Sequence, residues 1–137
     1  MTASAPVHVS ALLLCRKVTV SVAGDLSLED VVEVLPVAAL PGDVGPLTFV
    51  AFVRHLPPGP GRGAFLVRWT GAEPRELARC PVELTIPKGY EGRQVALQVR
   101  LPSLTLGRGG WYEVAFEWEG RTLAVNRFAV GVRSSPS

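Results

Sequence analysis

Gln94-Val95-Ala96-Leu97-Gln98-Val99-Arg100-Leu101 decides how this chain reads. Val95, Leu97, Val99 and Leu101 fall on one side of an extended backbone, and Gln94, Ala96, Gln98 and Arg100 on the other. Side chains alternate across a strand with period two, so this octet predicts an antiparallel strand with one buried and one wet face. A helix would scatter the same residues around its circumference.

The pattern spreads outward from there. In 111–118, Tyr112, Val114, Phe116 and Trp118 share a face opposite Glu113 and Glu117. Glu119-Gly120 then reads as a tight reversal, because glycine accepts positive φ without steric cost. On the return, apolar residues switch from odd positions (Leu123, Val125) to even ones (Phe128, Val130, Val132). One extra residue flips the facing of all that follow, so a β-bulge is expected near Asn126-Arg127. Residues 7–15 and 18–22 read as two strands or one long bent strand. Ala23-Gly24-Asp25 reads as a turn, and 26–35 as a returning strand rich in valine. Ser27 with Asp30 three residues on also fits a helix capping box, but the β-branched run favours the strand. Leu47 to Arg54 is almost wholly apolar and reads as a central strand covered on both faces. In 64–70, Phe65, Val67 and Trp69 alternate with Leu66 and Arg68, and in 82–86 Val82, Leu84 and Ile86 point inward.

Proline and glycine punctuate the rest. The stretches 41–46, 57–63 and 107–110 are expected to stop ladders, since proline lacks a backbone donor. No internal repeat and no long helix appears. The expectation is therefore an all-β chain, an antiparallel two-sheet β-sandwich of about seven to nine strands, immunoglobulin-like or C2-like. Residues 1–137 read as a single domain with an ordered core over about 7–133 and a short tail at 134–137.

Composition narrows the function classes. Apolar residues make up 47% and charged residues 19%, a globular balance. A net charge of +2, with arginines spread along the chain, does not make the concentrated basic face that phosphate binding needs. No nucleic-acid partner is expected. The apolar run at 11–15 is too short for a signal core or a membrane span, so a cytoplasmic protein without membrane contact is expected. Asn126 is the sole asparagine, and lysine occurs only at Lys17 and Lys88. A scarcity of Asn, Gln, Cys and Met is one thermophile feature, but the lysine shortage runs against it. A GC-rich genome explains the Arg, Gly, Pro, Ala and Val together at least as well, so a bacterial source is expected, with a thermophile kept as one reading.

Chemistry-bearing residues are few. His8, Cys15, His55 and Cys80 are the whole His and Cys content, scattered without the close spacing of zinc ligands. No nucleophile elbow, Walker loop or dinucleotide fingerprint is present. Gly107-Arg108-Gly109-Gly110 precedes a strand and reads as a hairpin approach. Glu113 and Glu117 read as a solvated sheet face. No catalytic residue, metal ligand or cofactor is therefore assigned, and the chain is not expected to be an enzyme. Trp69 and Trp118 fall on apolar faces. Trp111 falls on the opposite face from Tyr112 and is the one candidate ligand-binding residue.

Several features stand in a familiar order: the run 11–15, Val18 to Val22, Gly24-Asp25-Leu26-Ser27-Leu28, Val31, Leu40-Pro41, Thr48-Phe49-Val50 and Gly110-Trp111-Tyr112-Glu113-Val114. Together they resemble a family of small uncharacterised bacterial β-sandwich proteins, over nearly the whole chain. The second half is also similar to generic immunoglobulin-like and C2-like sandwiches, which place a Gly-x-Tyr strand before a tight hairpin. The resemblance implies a sandwich and no known activity. Loop acids are not clustered, so a C2-type calcium site is not expected. The expected role is a non-catalytic binding or scaffold module acting through an unknown protein partner or as a homo-oligomer. The alternatives are a small-ligand or carbohydrate-binding sandwich, and an enzyme without a recognised motif.

Overall fold

A computed structural model describes residues 6–90 and 92–132. The tail expected at 134–137 lies outside the described residues. Among them the chain is all-β, with eleven strands and no helix. No helix is long and apolar enough to cross a membrane.

The strands are β1 (His8–Val20), β2 (Leu26–Val31), β3 (Val34–Val37), β4 (Gly42–Val44), β5 (Leu47–Arg54), β6 (Gly59–Trp69), β7 (Arg75–Ile86), β8 (Gln94–Leu101), β9 (Leu104–Leu106), β10 (Gly110–Trp118) and β11 (Arg121–Val132). They form a four-stranded sheet ordered β2-β1-β5-β8 and a five-stranded sheet ordered β3-β11-β10-β6-β7. The short pair β4-β9 makes a third.

Residues 94–101 form β8 with Leu97 and Leu101 buried and Gln94, Ala96, Gln98 and Arg100 exposed, as the alternation requires. β5 lies between β1 and β8, and Phe49, Ala51 and Val53 on its inner side are fully buried. Tyr112, Val114, Phe116 and Trp118 of β10 all point into the core. Phe49 of the four-stranded sheet stacks on Phe65 of the five-stranded one at 5.2 Å, and Phe65 meets Phe116 at 5.1 Å.

Five expectations need correction. The strands number eleven, not seven to nine, because segments read as turns or as one strand make short ladders of their own. The strand expected over 26–35 ends at Val31. Asp30 has φ 53°, Val32 N–H donates to Leu14 O, and the chain crosses to the five-stranded sheet as β3. There β3 runs parallel to β11, so the pairing is mixed and not purely antiparallel. The bulge sits at Leu123 and not at Asn126: Phe116 pairs with Ala124 while Glu117 pairs with Thr122. Leu123 and Ala124 both pack on the core, which places the parity change at the turn end of β11. Asn126 has a different task. It lies opposite Val114, where its Nδ2 donates to Leu12 O of β1 at 2.9 Å. That bond ties the two larger sheets together where β1 has no β2 neighbour.

The stretch 57–63 does not stop a ladder. β6 begins at Gly59 and carries Pro60, which pairs with Thr85. The β10 ladder starts only at Gly63, so residues 59–62 have a strand on one side alone. A missing N–H is tolerated on such an open side. Gly61 and Gly63 let the Trp118 ring lie against the β6 backbone: a Cβ on Gly61 would stand 2.1 Å from Trp118 Cζ2.

Candidate functional site

Side chains on the outer face of the five-stranded sheet form cross-strand rows. Val34, Ala129 and Trp111 make the first, with Thr70 at its far end. Arg127, Glu113 and Arg68 make the second. Val125, Ala115, Leu66 and Arg79 make the third.

The third row is partly closed. Ala64, Leu66 and Ala115 form a small buried cluster on this outer side. Arg79 of β7 reaches across β6 to Glu117 of β10 at 2.9 Å and holds Glu76 at 2.8 Å. Hydrogen bonds to Glu76 and then Glu117 push the Arg79 guanidinium pKa above its ordinary value. Glu113 and Glu117 do share a face, as the sequence predicts, but Glu117 is an ion-pair partner and not a freely solvated acid. The pair roofs Leu66, which the alternation places outward and which is nonetheless buried.

The first row stays open. Trp111 is 57% exposed, Val34 65% and, two rows on, Val125 51%. The Trp111 carbonyl accepts from Thr70 Oγ1 at 2.8 Å, which fixes the backbone beneath the indole. Trp111, Thr70, Gly71, Trp69 and Arg127 line a shallow depression. Arg127 and Arg68 flank Glu113, yet neither guanidinium forms an ion pair among the described residues. Arg68 Nε is buried without a hydrogen-bond partner among the described residues.

Trp118 is a core residue, as its parity requires. Trp69 is only half-buried. It meets Tyr112 edge-on at 5.0 Å, and its Nε1 is buried without a hydrogen-bond partner among the described residues. Trp69 and Tyr112 also line a cleft of about 360 Å³ at the end of the sheet, with Leu77, Arg75, Arg108 and Glu73 around its mouth. The Arg108 guanidinium lies 6.0 Å from the centre of the Trp69 ring. Sequence reading did not find this cleft, because its walls come from β6, β7 and the 107–110 loop. The one available signal was that two strands carrying Trp69 and Tyr112 could pair.

The 107–110 loop approaches β10, as expected. Tyr112 Oη donates to Arg108 O at 2.6 Å and pins the loop over the cleft. Tyr112→Phe should lower stability by about 1 kcal/mol, the net worth of one such bond. Denaturant unfolding should show a lower midpoint with an unchanged slope.

His8 and His55 lie at one end of the four-stranded sheet, His8 opposite Arg54 and His55 just after it. Cys15 sits within β1 opposite Thr48, and Cys80 within β7 opposite Phe65. The two thiols are free and belong to different sheets. Burial pushes both thiol pKa values up, which disfavours the reactive thiolate.

No family profile matches the chain, and no curated protein matches it at a significant level.

Proposed function

We propose that this chain is a non-catalytic binding module that docks an acidic protein surface on the outer face of its five-stranded sheet, with Trp111 as the anchor. The carrying observation is the exposed indole on a hydrogen-bonded backbone, in one row with exposed Val34 across Ala129 and next to Arg127, which forms no ion pair among the described residues. Tryptophan and arginine dominate interface hot spots, and an apolar patch of this kind marks interaction surfaces. Arg127 and Arg68 outnumber Glu113 in the adjoining row, which favours a partner of opposite charge.

We infer an immunoglobulin-like sandwich as the scaffold. In that plan β1-β5-β8 correspond to strands A, B and E, and β6-β10-β11 to C, F and G. The Tyr112 bond to Arg108 supports the reading, since it resembles the tyrosine corner of such domains. The resemblance to small bacterial β-sandwich proteins is compatible with this plan.

The test compares wild type with Trp111→Ala and Arg127→Glu as bait for cross-linked partners in cells of the source organism. Thermal unfolding should be nearly unchanged in both, within about 0.5 kcal/mol, as for other surface sites. The supporting result is a partner lost from both variants, retained by Val22→Ala, and cross-linked through Asp or Glu residues. Retention of the same partner by Trp111→Ala removes the proposal. The end cleft supports a second reading, a small ligand seated on Trp69 beside Arg108. A sugar or aromatic acid that shifts tryptophan fluorescence in wild type and not in Arg108→Ala would favour it.

A further inference from the structure

Strand edges expose backbone donors and acceptors, and proteins usually blunt them with proline, charge, bulges or short length. Three of the four edges of the larger sheets are treated in this way. β7 carries Pro81 and a register break at Leu77. β3 is four residues long and contains Pro36. β2 carries Glu29 and Asp30, and Asp30 has a positive φ. β8 has no proline, no bulge and no acidic residue, and it is not short. It is eight residues long, pairs with β5 without a register break, and has Arg100 as its single charge. Among the described residues no backbone hydrogen bond joins β8 to anything but β5. Val95 and Val99, on its core side, are only half-buried.

We propose that β8 is a homodimer edge, pairing antiparallel with β8 of a second copy about a two-fold axis at Gln98. Directly opposed residues of an antiparallel pair share a face, so only registers that set odd positions against odd are allowed. With Gln98 on the axis, Leu97 meets Val99 of the other copy and Val95 meets Leu101. The two half-buried valines thereby gain apolar neighbours. On the wet face Ala96 meets Arg100, and Gln98 meets its own copy through complementary amide groups. Moving the axis to Leu97 would set Arg93 against Leu101, a charge against an apolar residue. The Gln98 register avoids this and places no like charges opposite each other. The four-stranded sheets of two copies then form one continuous sheet, an isologous contact of the commonest oligomer type.

The test is sedimentation velocity on the full chain over a concentration series. Wild type should approach twice the 14.6 kDa chain mass as concentration rises. Gln98→Glu sets two carboxylates face to face at the axis and should raise the dimer dissociation constant about fivefold or more. Gln98→Lys should do the same alone. An equimolar mixture of the two variants should dimerise at least as tightly as wild type, since only an axial residue meets itself. Trp111→Ala should dimerise normally. Wild type sedimenting only as monomer at the highest concentration overturns the proposal. So does a dimer unaffected by Gln98→Glu, a mixture no tighter than either variant alone, or a dimer lost in Trp111→Ala. Circular dichroism of each variant should match wild type, because the Gln98 side chain is exposed in the single copy.

Discussion

Replacing Phe65 with alanine should destabilise the fold by about 3–5 kcal/mol, the range for buried phenylalanine truncations. Phe65 is fully buried and lies between the two larger sheets. Its ring stacks on Phe49 at 5.2 Å, 17° from parallel, and meets Phe116 at 5.1 Å. Truncation removes the transfer energy of the ring and also leaves a cavity that two separate sheets must close. Both neighbours are held by ladders, Phe49 between β1 and β8 and Phe116 between β11 and β6, so relaxation into the gap is restricted. A domain of ordinary stability, about 5–15 kcal/mol, would lose a large share of it. Chemical denaturation should show a much lower midpoint. Phe65→Leu, which keeps most of the volume, should cost clearly less. Equal losses for the two would mean that the cavity does not set the cost.

The second large effect joins Gly61 and Trp118. Trp118 is 4% exposed, and its ring rests on backbone that only glycine leaves clear. Trp118→Ala should cost about 3–5 kcal/mol by cavity formation. Gly61→Ala should cost about 1–3 kcal/mol by overpacking, because its Cβ would fall 2.1 Å from Trp118 Cζ2. The double variant should cost less than the two added together, since the new methyl group would occupy space the ring has left. A double-mutant cycle measures this coupling directly. Strict additivity would show that Gly61 is not there to seat the ring.

Neither substitution touches Trp111, and the contrast between the three tryptophans shows what parity can and cannot reveal. Parity places Trp118 and Tyr112 on one face and Trp111 on the other, and the structure has Trp118 buried and Trp111 exposed. Parity also places Trp69 inward, but it is the last residue of β6, and there it lines a cleft with Leu77 and Arg108. The same limit applies to Leu66. Its facing is outward, yet the Arg79–Glu117 pair covers it. A local pattern reports direction and says nothing of what another strand brings over the top.

The all-β character of the chain, the facing of residues 94–101 and 111–118, and the reversal at Glu119-Gly120 are all legible in the residues alone. Each of these depends on period-two alternation or on the φ of a single glycine, and both are local. The change of sheets at Val32 and the parallel run of β3 beside β11 emerge only from the folded chain. So do the bulge at Leu123 and the place of β8 as the edge without proline, bulge or acidic guard. Those outcomes depend on which strand lies beside which. That choice follows from burying one shared core between residues far apart in the chain, and no window along the sequence contains it.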